Sequence, residues 1–273
     1  HRNYALGLFP LSRAECATSK SNLGERIPVY SKLEEKLGLY AGTPYLSRKD
    51  NQQGSWYNLC VDITPKQRDI VVGSILGDGC LETSKWGSTR LQFKQSVEKQ
   101  EYVFWLYGKM GNLCRSAPKQ NKIHQWYFST RYSKELTSLK DCFYRGKTKI
   151  VPKNIADLLQ NPISLAIWFM DDGTLDWRVK DHYAFRLATN CFSFEENNIL
   201  IGVLKQNFGV DATVQKTTMR GSVYPRIHVG ASGRDKFLQL IKPFMLNCFK
   251  HKVPPFISNP SETWSFTDQI ATL

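Results

Sequence analysis

"VVGSILGDG" at Val71–Gly79 and "LAIWFMDDG" at Leu165–Gly173 decide the fold of this chain. Each closes an apolar run and sets one acid directly before a glycine. The first run opens on Thr64 as N-cap and Pro65 at the first helical position, and its stop is expected at Gly79. The second has Pro162 near its start. Gly73 and Gly77 lie four residues apart, so they share one helix face and allow a close backbone approach. The matching face of the second helix carries bulky Ile167 and Phe169 around Ala166, and small against large suits a tight crossing. Such a crossing would bring Asp78 and Asp172 together. One Asp-Gly at a helix end is ordinarily a C-terminal turn, but two at matching places point to a shared centre. Two adjacent carboxylates in a basic cleft are costly unless a cation neutralises them. Mg²⁺ or Mn²⁺, which take oxygen ligands and can also hold phosphate oxygens, would serve in metal-assisted phosphodiester hydrolysis.

Around these helices the pattern repeats. In the first half "STRLQFKQS" alternates as a strand, "EKQEYVFWLYGKMG" reads as a helix, "HQWYFSTRY" alternates again and "SKELTSLKDCFY" is helical. In the second half "YAFRLAT" is strand-like, and the helix "SFEENNILIGVLKQNFG" opens on a capping box from Ser193 to Glu196. "DATVQKT" and "YPRIHVG" read as strands before the helix "GRDKFLQLIKPFM". Each half ends in Lys and Pro, at "KIVP" and "KVP". The expected fold is α+β: two pseudo-symmetric αββαββα-type repeats packed through the two motif helices, their antiparallel sheets forming a basic nucleic-acid-binding saddle. The expected boundaries are an N-terminal extension over 1–64, repeats over 65–153 and 154–257, and a tail over 258–273. The extension is rich in turn formers, with one short helix expected around Val29–Leu37.

The balance of 37 Lys and Arg against 24 Asp and Glu gives +13 and favours a polyanionic partner. No run of apolar residues is long enough to suggest a membrane span. The seven cysteines are scattered with no Cys-x-x-Cys, so they read as buried thiols of a reducing compartment rather than as a disulfide frame or zinc site. The chain begins at His1, which suggests a trimmed, processed or fused product.

The two motifs, with "LATNCFSFEENNIL" and "IKPFM" downstream of the second, resemble the LAGLIDADG homing endonucleases, specifically the single-chain, two-motif, intron-encoded organellar type. The likeness spans roughly Pro65 to Ile257. It implies a site-specific double-strand DNA endonuclease, monomeric and metal-dependent, with an organellar location in a mitochondrion or chloroplast. It also implies that Asp78 and Asp172 bind Mg²⁺ or Mn²⁺, with the preceding Gly77 and Asp171 in the metal set. By position alone Asp171 is a spare acid that caps the helix or faces solvent. Lys149 and Lys252 take the place of the family's basic residues near the cut. Nucleic-acid contacts are expected from the strand faces at Arg90, Gln92, Lys94, Gln125, Arg131, Arg186, Lys216, Arg226 and His228. The first motif departs from the family pattern with Val-Val in place of Leu-Ala, but keeps its acid. The alternative is an RNA-binding protein of the same family, an intron-splicing maturase or an organellar ribonucleoprotein component, with structured intron or ribosomal RNA as its ligand. Membrane binding is disfavoured, because no basic amphipathic helix stands out.

Overall fold

The chain divides into two units, residues 1–48 and 49–273. The computed structural model describes residues 62–178, 182–219 and 221–255, all within the second. The expected helix at Val29–Leu37 and the tail over 258–273 lie outside the described residues.

Helix α1 runs Pro65–Leu76. Thr64 and Gln67 form a reciprocal capping box, each side chain accepting the other's backbone N–H at 3.2 and 3.1 Å. The helix ends at Leu76 with Gly77 as its cap, short of the expected stop at Gly79. Strands β1 (Cys80–Thr83) and β2 (Thr89–Gln95), helix α2 (Gln100–Met110), strands β3 (Lys119–Gln120) and β4 (Trp126–Ser129) and helix α3 (Lys134–Phe143) complete the first repeat. A short hairpin, β5 (Tyr144–Arg145) and β6 (Thr148–Lys149), and the one-turn helix α4 (Ile155–Leu158) lead into the second. That repeat comprises α5 (Pro162–Asp172), β7 (Gly173–Arg178), β8 (His182–Leu187), α6 (Phe194–Phe208), β9 (Thr213–Met219), β10 (Ser222–Val229) and α7 (Arg234–Ile241).

Both repeats therefore read αββαββα, and their antiparallel sheets share one topology, β1-β2-β4-β3 and β7-β8-β10-β9. The strands directly after the motifs, β1 and β7, escape a reading by alternation. β1 is too short to show a period, and β7 begins on the motif glycine and carries polar residues into its pairing with β8. In the first sheet Leu91, Phe93, Trp126 and Phe128 turn inward; in the second Phe185, Leu187, Ile227 and Val229 do so. A continuous core joins the two repeats. At about 25 cal/mol per Å² of apolar surface removed from water, each fully buried Phe or Leu contributes roughly 2 kcal/mol against the entropy of ordering the chain.

The motif helices pack through small residues, as the Gly73/Gly77 spacing predicts, but against different partners. A Cβ on Gly73 would stand 2.5 Å from the Ser164 carbonyl oxygen, and one on Gly77 would stand 2.5 Å from both Cβ and Oδ2 of Asp171. Of the expected facing residues, Ile167 is fully buried on the same helix face as Ser164 and Asp171, whereas the ring of Phe169 is T-stacked on Phe185 and Phe237 of its own repeat. Ser164 Oγ donates to the Asp69 carbonyl at 2.7 Å and locks the crossing from the other side. Further ties cross between the halves: the Val151 N–H donates to Glu196 at 2.8 Å, and the Cys248 N–H donates to Glu101 at 3.0 Å.

Candidate active site and nucleic-acid face

The helix crossing delivers three aspartates to one place, in three different environments. Asp78 is exposed. Its backbone N–H donates to Asp171 Oδ2 at 3.1 Å, and its carboxylate accepts from Gln95 Nε2 at 2.5 Å. Asp171 is buried, with its second oxygen 3.5 Å from the same Gln95 amide nitrogen. Burial and the charge of Asp78 push its pKa well up, while the Asp78 N–H and the Tyr102 hydroxyl beside it pull the other way. The spare, solvent-facing acid expected at Asp171 is therefore an internal support. Both its oxygens face the protein interior, Oδ2 on the Asp78 N–H and Oδ1 toward Gln95. At Gly77 the carbonyl accepts from Lys149 Nζ at 2.7 Å, and the missing side chain is the space Asp171 fills. Asp172 is half-buried, and its pKa is raised to about 6 by burial first and the charge of Asp78 second, against Lys149, Lys252 and Lys99.

Lys149 and Lys252 occupy corresponding places. Each donates to the C-terminal carbonyls of its own motif helix, Lys149 to Gly77 and Lys252 to Met170, both at 2.7 Å. They complement the negative ends of the two helices while keeping positive charge beside Asp172. Burial and the nearby Lys99 lower Lys252 to about 8.

Among the described residues no group of three or more His, Cys, Asp or Glu is arranged to hold a metal ion. The donor set still fits a hard divalent cation of the magnesium kind, which is commonly held by one or two carboxylates and completed by water and substrate phosphate oxygens. Asp78 and Asp172 are two such carboxylates, and the charge of Asp78 raises the cost of ionising Asp172.

On the first sheet Arg90, Gln92 and Lys94 share the polar face of β2, opposite Glu82, Ser129 and Tyr127. Arg90 is not free: its Nε and Nη2 both donate to Glu82 Oε2, at 3.2 and 2.9 Å. Gln125 accepts from the Asn121 side chain at 3.1 Å at the head of β4, and Arg131 is exposed beyond its end. On the second sheet Arg186 stands opposite His228, and Arg226 opposite Gln215. Lys216 is a correction. It pairs with buried Pro225 between the Val214–Ile227 and Thr218–Val223 pairs, so it lies on the face away from Arg226 and His228. Reading the site by strand alternation alone also misses Gln95, Tyr102 and Lys99. Gln95 closes the alternating "RLQFKQ" run on the buried phase, so a polar side chain at an apolar position is the signal that could have found it.

Residues 68–237 match the LAGLIDADG DNA endonuclease family. DNA endonuclease I-ChuI of Chlamydomonas applanata is 30% identical over 212 residues, covering 71% of this chain and 96% of that protein. Cytochrome b mRNA maturase bI2 of Saccharomyces cerevisiae is 27% identical over 208 residues, 69% of this chain; the chain spans 47% of that relative's length. The solved structure of the homing endonuclease I-WcaI bound to its DNA recognition sequence shares the fold, with a TM-score of 0.60 at 22% identity over 80% of this chain and 97% of that one. With two motifs in one polypeptide and two matching repeats packed through them, the chain belongs to the LAGLIDADG DNA endonuclease family.

Proposed function

We propose that this protein is a site-specific double-strand DNA endonuclease that works as a single chain with Mg²⁺ or Mn²⁺, in an organelle. The observation that carries the reading is the Gly73/Gly77 crossing, which sets Asp78 and Asp172 at one centre between two sheets of identical topology. A divalent ion held by the two carboxylates would supply charge stabilisation at the scissile phosphate and a more acidic attacking water. Gln95 fixes the orientation of Asp78 through its amide. Lys149 and Lys252, anchored on the helix-end carbonyls, hold positive charge where negative charge accumulates on the phosphate. The polar sheet faces, with Arg90, Gln92, Lys94, Gln125 and Arg131 on one side and Arg186, Arg226 and His228 on the other, bind the duplex and set its register. The test is incubation with a randomised duplex library and Mg²⁺. Discrete double-strand cuts that disappear in Asp78→Asn support the reading, and an absence of discrete cuts under any divalent-metal condition overturns it.

A second reading, an intron-splicing maturase acting on structured RNA, is favoured by the maturase relatives in yeasts. Crosslinking and sequencing of bound RNA separates the two: enrichment of one structured transcript supports the maturase, and recovery of none counts against it.

A further inference from the structure

The segments that carry the two active-site lysines correspond in sequence, "GKTK" at Gly146–Lys149 and "FKHK" at Phe249–Lys252, and differ most at their first residue. Gly146, at φ +62°, forms the turn between β5 and β6 and offers no side chain. Phe249 is fully buried within the 3-10 stretch Asn247–Lys252. That stretch belongs to the second repeat but docks on the first. The Phe249 ring is T-stacked on Tyr102 of α2 at 5.0 Å, beside the Cys248 N–H that holds Glu101. Lys99 Nζ, from the first repeat, lies over the same ring 5.4 Å from its centre, and Lys252 Nζ lies over it at 5.2 Å. One phenyl ring therefore takes two ammonium groups, one from each repeat.

Two like charges on flexible four-carbon stems do not gather unaided. The charge of Lys99, after burial, is what lowers the pKa of Lys252, so the two lie within each other's field. The face of an aromatic ring attracts cations, more strongly where water is excluded, and it fixes where each Nζ rests. Both lysines bear on Asp172. Tyr102 backs the ring on one side and on the other sets its hydroxyl beside Asp171, which holds the Asp78 N–H. Lys149 has Gly146 where Lys252 has Phe249, so the aromatic platform is built on one side of the centre. We propose that Phe249 is a positioning residue that sets Lys99 and Lys252 side by side at the centre, so that one of the two strand cuts depends on its ring more than the other. This rests on the endonuclease reading above.

The experiment follows wild type and Phe249→Leu at saturating enzyme with Mg²⁺, on a target from the cleavage selection, each strand end-labelled in turn. Phe249→Leu keeps an apolar side chain but has no ring face, so it should slow one strand by about tenfold and the other by less than about threefold, accumulating nicked duplex. A merely structural role would slow both strands alike. In ¹³C-lysine-labelled full chain without metal, the Hε protons of Lys99 and Lys252 should lie upfield in wild type, by the ring current, and return to ordinary positions in Phe249→Leu. Should Phe249→Leu fail to fold, the wild-type resonances decide: upfield positions for both lysines support the platform, and ordinary positions overturn it. Equal slowing of both strands, or no slowing, overturns this inference and leaves the endonuclease reading standing. A wild type that cuts neither strand overturns both.

Discussion

The two repeats share one chain path and differ in the chemistry at its centre. In the first motif the residue before the acid is Gly77; in the second it is Asp171. One difference depends on the other, because the Asp171 side chain occupies the volume that a Cβ on Gly77 would fill. Seventeen residues beyond Asp78 stands Gln95, which holds the Asp78 carboxylate. The same interval beyond Asp172 reaches Thr189, fully buried and hydrogen-bonded to Asn197 within its own repeat. Asp78 is thus exposed and held by an amide, whereas Asp172 is half-buried and flanked by lysines. A symmetric backbone here carries two unlike half-sites.

The largest effect that can break this comparison is loss of either acid. Asp78→Asn and Asp172→Asn should each lower Mg²⁺-dependent cleavage on the order of a thousandfold, matching several kcal/mol of transition-state charge stabilisation. Duplex binding should survive, and gel assays of cutting and binding on one selected target check both.

Packing comes next. Gly77→Ala drives a methyl into Asp171 and Gly73→Ala drives one into the Ser164 backbone, so each should destabilise the fold by about 1–3 kcal/mol. Gly202, exposed on helix α6 with nothing near its Cβ direction, is the control: Gly202→Ala should stabilise by about 0.5–1 kcal/mol. Urea denaturation of the three variants orders them.

A smaller effect is the pH dependence of the half-buried acid. Because the folded-state pKa of Asp172 is raised to about 6, its ionised form costs stability above that pH, and the cost fades as pH falls through 6 toward 4. Asp172→Asn should therefore gain about 1–2 kcal/mol over wild type at pH 7.5 and nothing at pH 4.5, after allowance for its partial exposure. Mg²⁺, by neutralising the pair, should raise the wild-type Tm more at pH 8 than at pH 5. Thermal melts with and without the ion measure both.

Smallest is the amide that separates the half-sites. Gln95→Ala should slow cutting by about tenfold and accumulate a nicked intermediate, while Thr189→Ala should alter stability and leave the strand preference alone. A time course resolving nicked from linear DNA decides between them.

Much of this was legible in the chain. Thr64, Pro65, Ser193 and Glu196 announce helix starts, the strand periods separate Leu91 and Phe93 from Arg90 and Gln92, and the repeated motif fixes which helices must meet. The rest depends on pairing that no single segment carries. Asp171 reads as spare because the partner that buries it, Gly77, is remote in sequence. Lys216 is misplaced because β9 is an edge strand with polar residues on both faces, where alternation loses meaning and only the register with β10 settles the side. Arg90 and Arg186 look alike in sequence, and the cross-strand acids Glu82 and Asp176 set how much of each guanidinium stays open.

The central claim is that the acids of two distant motifs form one centre. Carboxyl-carbon NMR titration of Asp172, in the full chain without divalent metal, tests it most directly. In wild type Asp172 should titrate near 6, and in Asp78→Asn it should move down while burial still holds it above the ordinary range. A wild-type value already near 4, or one indifferent to Asp78→Asn, would contradict the claim.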